Sequence, residues 1–228
     1  GGGLRVRSEG TSHRGARARV EATFHRESVF RSPAALVLDA GLASAAASGE
    51  VVISSAAPGE PAPATGAESE ETAALWRDAT GGGETIAVVG DTGFGLSVDA
   101  LVEGADVTLA GPFASDTWGS PESPKVVRLT GDARVTGEVR AYGIVVTDVP
   151  LHVAGWLMID GLLLARGGLA IDGALVLNGA FWVSQSLDVL PSGSLEIDLD
   201  PSALAGAGDL RPTVLPREAI LGAWRELW

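Results

Sequence analysis

From residue 127 to residue 183 the odd positions are apolar or glycine, with Thr147 as the one polar interruption. The even positions are mostly polar: Arg128, Asp132, Arg134, Glu138, Arg140, Asp148, Asp160, Arg166, Asp172 and Asn178. A period of two puts one set of side chains on a buried face and the other in water. Strands usually run about 3–10 residues, so a chain that holds one parity this long must bend without slipping. Glycine supplies the bends. It stands at 131, 137, 143, 155, 161, 167, 173 and 179, with Val149 in the one remaining sixth-residue slot. Glycine tolerates the tight backbone of a corner, and Asp160-Gly161, Asp172-Gly173 and Asn178-Gly179 are turn dipeptides. Short strands, regular corners and a constant inward face predict a parallel β-solenoid.

The even positions that break the polar rule set the size of the turn. Ile144 and Val146 are followed by Leu162 and Leu164, then by Ala180 and Trp182. Trp156 and Met158 are followed by Ala174 and Val176. Both series recur at 18 residues, which predicts three six-residue sides per turn and about four rungs over residues 126–200. Outward apolar stripes are rarely left wet on a monomer. Residues 1–125 are the expected cover. Trp156, Trp182, Leu162 and Leu164 are therefore candidate interface residues, with cover from within the chain as the plainer reading of the two tryptophans.

Upstream, Leu4 and Val6 alternate with Arg5 and Arg7, and Ala18 to Phe24 alternate with Arg17, Arg19 and Glu21. Two period-two runs around a Gly/Ser/Thr stretch predict a β-hairpin. Residues 34–39 and 50–54 are further strand candidates. Residues 57–67 are a Pro/Ala/Gly loop. Residues 68–79 predict a short helix, acidic in its first turn and stopped by "TGGG" at 80–83. Strand-like pieces follow at 85–89, 96–102 and 106–109. Residues 201–228 lose the hexad and are expected to cap the last rung, since an open edge invites stacking. The fold class is thus mainly β. An antiparallel segment with one short helix and a Pro/Gly-rich insertion at 57–83 occupies 1–125, the solenoid 126–200 and the cap 201–228.

Composition narrows the chemistry. The chain has no cysteine, so disulfides and thiolate metal sites are excluded. Net charge is −13 overall, but residues 1–31 hold seven Arg and three Glu, a net of +4. Only that segment offers a basic surface, and Arg5, Arg7, Arg17 and Arg19 are the candidate nucleic-acid contacts. His152 is the one histidine of the hexad region, and its even parity points outward, away from any general-base role. Glu196, Asp198 and Asp200 share a face, where calcium is one reading and a solvated acidic ladder the commoner one. The glycines of "GDTGFGL" at 90–96 lack the lysine and spacing of a phosphate loop. No catalytic, metal or cofactor residue is predicted. No apolar run reaches the roughly 18 residues of a membrane span. The chain begins at Gly1 and its single methionine is Met158, so it is expected to be a processed product or a piece.

Three stretches carry a family resemblance. "VVRLTGDARVTGEVRAYGIVVTD" (126–148), "GLLLARGGLAIDGALVLNGAFWV" (161–183) and "SLEIDLDPSALAG" (194–206), closing on "GAWRELW" (222–228), together resemble the tail of PilX-type minor pilins of the type IV pilus. The early "LRVRSEG…ARARVEATFHRE" is similar to the strand pair after a pilin's first helix. The resemblance covers half to two-thirds of the chain. Segment 57–83 departs from it. It implies a transmembrane helix upstream of these residues, an extracytoplasmic location and a non-enzymatic role in pilus assembly or at the pilus tip. Its implied partners are other minor pilins and pilus subunits, with adhesion or DNA uptake as the outcome. The hexads alone are also shared by bactofilins, so a polymer-forming cytoskeletal protein is the alternative. An adhesin for DNA or glycan is the third reading.

Overall fold

The computed structural model describes residues 4–11, 17–26, 30–55, 63–82, 85–211, 214–216 and 219–227. The protein is mainly β. Its strands are β1 (Leu4–Thr11), β2 (Arg17–Arg26), β3 (Leu36–Leu38), β4 (Ser44–Ala47), β5 (Glu50–Ser54) and β6 (Thr65–Ala67), followed by helix α1 (Glu70–Ala79). Strand β7 (Ile86–Val88) and helix α2 (Phe94–Glu103) come next. Then come β8 (Val107–Ala110), β9 (Phe113–Trp118), β10 (Lys125–Thr130), β11 (Arg134–Thr147), β12 (Leu151–Val153), β13 (Trp156–Ala165) and β14 (Leu169–Ile171). The chain ends with β15 (Ala174–Val183), β16 (Ser186–Val189), β17 (Ser194–Asp198), helix α3 (Pro201–Leu210) and β18 (Ala219–Leu227).

Two compact units divide the chain. One comprises residues 1–30 and 217–228, the other residues 31–216. In the first, β1, β2 and β18 form a three-stranded antiparallel sheet in the order β1-β2-β18. The expected hairpin is present, with Leu4 opposite Phe24 and Thr11 opposite Arg17. The antiparallel part is nevertheless small, because among the named strands only these three pair that way.

The second unit is one large curled parallel sheet. The chain pairs with itself at a constant offset. Gly143 lies beside Gly161, and Gly161 beside Gly179. Leu151 lies beside Leu169, and Leu169 beside Leu187. The step is 18 residues at each of these pairings, as the outward apolar residues predict, and it widens to 20 where Ala174 meets Ser194. Three strips of ladder result. The first runs β8, β10, the second halves of β11, β13 and β15, then β3, β6 and β7. The second runs β11, β12, β14, β16, β4. The third runs β9, the first halves of β11, β13 and β15, then β17 and β5.

Inward positions align into apolar columns. Val139, Leu157, Leu175 and Leu195 form one, and Val145, Leu163, Phe181 and Leu36 another, all essentially without solvent contact. Each such side chain contributes about 1.5–3 kcal/mol of burial. At the corners the neighbouring backbones approach too closely for a side chain. A Cβ on Gly161 would land on the carbonyl oxygen of Gly143, and one on Gly179 on that of Gly161. Both glycines also have positive φ, 139° and 146°, a region that L-residues avoid.

Residues 34–54 depart from the antiparallel expectation. Strands β3, β4 and β5 add in parallel to β15, β16 and β17, one to each strip. The edge of those strands carries unpaired N–H and C=O groups, and β3–β5 satisfy it. That is the edge expected to be closed by residues 201–228. Helix α3 instead packs against β11, β13 and β15. Helix α1 begins where expected, capped by Ser69 Oγ accepting from Thr72 N, and packs on β4, β6 and β7. Residues 96–102, expected as a strand, belong to α2, so the part before residue 125 holds two helices where one was expected. Phe94, Ser97, Val98 and Leu101 are its buried residues, and their helical spacing outweighs the local strand-like composition.

The corner geometry makes a paired prediction. Gly161→Ala is expected to lower stability on the order of 3 kcal/mol, from left-handed strain plus the clash with Gly143. Gly206→Ala, in α3 with open space where the Cβ would go, is expected to be neutral or to stabilise by about 1 kcal/mol. Urea denaturation midpoints of the two variants check this, and a tolerated alanine at 161 would contradict the corner argument.

Candidate functional site

The candidate residues separate by strip. On the first strip Leu162 pairs with Ala180 and Leu164 with Trp182, and Ile144 and Val146 continue the same columns. Their outward parity holds, but none is on the surface: Leu162 and Leu164 are 0% exposed and Trp182 1%. Helix α3 lies on β11, β13 and β15, and α2 on β10 and β11. A methyl at Gly95 of α2 would come within 3.9 Å of Trp182 Cζ2. Arg166 ties α2 down, donating from Nη2 to Asp99 Oδ1 at 2.7 Å and to the Gly95 carbonyl at 3.2 Å. Part of the cover thus comes from residues 1–125, as expected, and part from α3. Trp182, Leu162 and Leu164 are used up inside the protein and offer nothing to a partner.

Trp156 is different. It sits half-buried on the outer face of the third strip, between Glu138 and Ala174 in its column. The Arg140 guanidinium lies 5.2 Å from its ring centroid and is 3.1 Å from Glu138 Oε1. Beside it run Arg140, Met158, Val176 and Glu196 in register. Met158, Ala174 and Val176 are half-buried, and Val52, next after Glu196, is 48% exposed. Trp156, Met158, Ala174 and Val176 therefore form a half-buried apolar square, framed by Glu138 and Arg140 on one side and Ser194 and Glu196 on the other.

The proposed basic hairpin is partly neutralised by register. Arg7 lies opposite Glu21, and Arg19 opposite Glu9. Arg7 Nε donates to the buried Glu21 Oε2 at 2.6 Å. The side chains of Arg5, Arg17 and Arg19 lie outside the described residues. His152 stands on the outer side of the second strip, between Arg134 and Ala170. Among the described residues no three His, Cys, Asp or Glu side chains converge on a point that could hold a metal. The acidic series at 196–200 has other work. Asp198 accepts from Ser54 Oγ at 2.6 Å. Asp200 caps α3 by accepting from Ser202 N and Oγ, and the Ser202 hydroxyl holds its carboxyl below the usual range. The glycine-rich stretch at 90–96 forms the start of α2, with Gly93 as a left-handed N-cap and Asp91 Oδ1 accepting from Gly93 N at 2.8 Å. A shallow cleft of about 360 Å³ runs between Tyr142, Asp160 and α3. Asp160 there accepts from Asn178 Nδ2 at 2.6 Å.

One polar cluster had no signal in the sequence. Asp39 and Glu68 follow β3 and β6 directly, so the pairing of Leu38 with Ala67 places them side by side. Glu68 Oε1 accepts from Thr92 Oγ1 and, at 3.2 Å, from Thr92 N; its Oε2 accepts from Ala40 N at 3.3 Å. Asp39 Oδ2 accepts from Ser184 Oγ at 2.6 Å. Burial raises the Glu68 carboxyl above its ordinary value of 4.5, and the hydrogen bond with Asp39 adds to the rise, against the opposing pull of the Thr92 and Ala40 donors. The arrangement ties β3, β6 and the start of α2 together.

Comparison with protein-family models, curated proteins and solved structures found no match. The surfaces themselves therefore carry the functional argument.

The Glu68 shift has a signed consequence. A carboxyl whose folded value is raised adds stability that is complete below the unfolded value of 4.5 and lost as pH rises through the folded one. Glu68→Gln removes that loss. Its melting temperature relative to wild type is expected to increase between pH 4.5 and pH 7. Parallel melting curves for the two proteins across that range would show the cluster to be electrostatically neutral.

Proposed function

We propose that residues 34–54 and 107–198 wind as a three-sided β-solenoid of 18-residue rungs, and that this body serves as a non-enzymatic structural subunit. In this reading the chain is the extracytoplasmic part of a type IV pilus minor pilin, acting in pilus assembly or at the tip through contacts with other pilus subunits. The observation that supports a scaffold is the filling of the inward columns by Val, Leu, Ile and Phe, with glycine at the close-approach corners. The chemistry that remains outside consists of ladders, helix caps and ion pairs. The antiparallel sheet of β1, β2 and β18 supports the pilin comparison, since it matches the strand pair and tryptophan segment that carry the resemblance. No helix among the described residues is long and apolar enough to cross a membrane.

A specific observation weighs against the bactofilin-like polymer. At the β9 edge Asp116 pairs with Val139 and shares its inward parity, yet it is exposed. A charge at an interior position blocks another rung from stacking there. The register also shifts between Val135 and Glu138 on the same edge. At the opposite edge α1 packs on β4, β6 and β7 and buries Trp76. The DNA or glycan adhesin remains the third reading and rests on the hairpin arginines and the Tyr142 cleft.

Two measurements test this. In cells of the source, the protein is expected in the sheared surface-fibre fraction, and its deletion is expected to reduce the number of surface pili. Purified wild type is expected to form no sedimenting filaments, whereas Asp116→Val, which removes the charge from the β9 edge, is expected to associate through that edge. A cytosolic protein that forms sedimenting filaments without any substitution would favour the polymer and end the pilin reading.

A further inference from the structure

We propose that the outer face of the third strip is a self-complementary surface on which a second copy of this chain docks, face to face, about a two-fold axis. The register provides the argument. The strip presents β9, β11, β13, β15, β17 and β5 in that order. A two-fold axis lying along the strand direction, midway between β13 and β15, keeps every residue at its place along the strand. It exchanges β13 with β15 and β11 with β17 of the other copy. Such an interface is isologous: each contact occurs twice.

The exchange matches unlike with unlike at each position. Trp156 meets Ala174, a large ring over a small side chain. Met158 meets Val176. Arg140 meets Glu196, and Asp160 meets Asn178. Each pairing follows from the observed register alone, with 156 opposite 174, 158 opposite 176 and 140 two strands from 196. All of these side chains point outward and are half-buried or exposed. A two-fold axis along the stack would instead set Trp156 on Met158 and Ala174 on Val176, large on large and small on small. The second axis would also set Glu138 on Arg140 and Ser194 on Glu196, so size selects the first arrangement, and Glu196→Arg, which only the first sets against a like charge, tells the two apart. The acidic surplus of the chain outside residues 1–31 gives Arg140 special weight, because it is the basic group bordering the square.

Strand spacing and rise give a contact of roughly 24 Å by roughly 17 Å, about 400 Å² per copy. That places the contact among small, reversible interfaces. Aligned packing of two sheet faces at about 10 Å leaves room for these side chains to interdigitate. The inference deepens the reading of the chain as a contact-making subunit, but it does not need the pilus. A dimer that is absent from surface fibres would keep this inference and remove the pilin reading.

Sedimentation equilibrium of the whole chain from about 10 µM to about 500 µM tests it, the upper range suited to a small interface. The average mass is expected to rise from 23.2 kDa toward twice that value. Arg140→Glu and Glu196→Arg are each expected to weaken association on the order of tenfold or more, since each creates two like-charge contacts per dimer. An equimolar mixture of the two variants is expected to restore it, because each 140–196 contact then pairs Glu with Arg. Circular-dichroism melts check that both variants fold. Ala174→Trp, which sets two indoles in one space, tests the same axis without a charge. Wild type at monomer mass throughout, association that survives both charge variants, or a mixture that stays monomeric would each overturn the proposal.

Discussion

The close approach of Gly155, Gly161, Gly173 and Gly179 to the carbonyl of the glycine eighteen residues earlier is the contact on which the rest of the large sheet depends. Gly143, Gly161 and Gly179 stack in one such corner, and Gly137, Gly155 and Gly173 in another. No Cβ fits there, so the register between neighbouring strands is confined to positions where glycine meets glycine or an open carbonyl. A slip of one residue would put a side chain into the neighbouring backbone. It would also turn the inward Val, Leu and Ile outward, because the pleat alternates with period two. Steric exclusion at the corners and burial between them therefore select the same register.

The three strips share an interior logic and differ outside. On the first strip Ile144, Leu162, Leu164 and Trp182 make the outer face apolar, and α2 and α3 cover it. The second carries Arg134, His152, Ala170 and Asp188 in one half-wet column. On the third, Glu138, Arg140, Glu196 and the square around Trp156 leave an apolar centre with a charged frame. The even positions decide this division, since the odd ones are committed to the core. A backbone this repetitive can change what each face contacts by changing a few outward residues, with little effect on the inside.

Much of this was legible from residue order. Parity over 127–183 and the hexad glycines marked the bends, and Leu162, Leu164, Ala180 and Trp182 betrayed the 18-residue step. These signals are local or repeat at short separation. The helix at α1 was also legible, because its acidic first turn and glycine stop at 80–83 are local chemistry. What escaped was long-range pairing. Leu36 beside Phe181 and Ser44 beside Ser186 join segments more than 140 residues apart, and three- to five-residue strands do not announce their partners. The Asp39–Glu68 pair followed from that pairing and could not be seen without it. Helix α2 escaped for a different reason. Its apolar residues fit short strands by composition, and the helix leaves an outward Leu96, 81% exposed, which no local pattern explains.

Finite length is the remaining constraint on how the body can act. A parallel stack ends in two edges with unpaired backbone groups, and each edge of this sheet is protected in its own way. At one edge β3, β4 and β5, drawn from early in the chain, complete the three strips, and α1 packs beside them. At the other, Phe113 and Trp118 pack edge to face at 5.0 Å and fill the interior, while Asp116 keeps the rim of that opening charged. At the β9 edge that charge disfavours extension along the stack. The first strip is covered and the second is narrow and polar. A half-buried apolar centre with a charged frame lies on the third, broadside to the stack. Under the proposed reading of the chain as a contact-making subunit, the outward residues at 138–140, 156–158, 174–176 and 194–196 are where selection on lateral contacts would act.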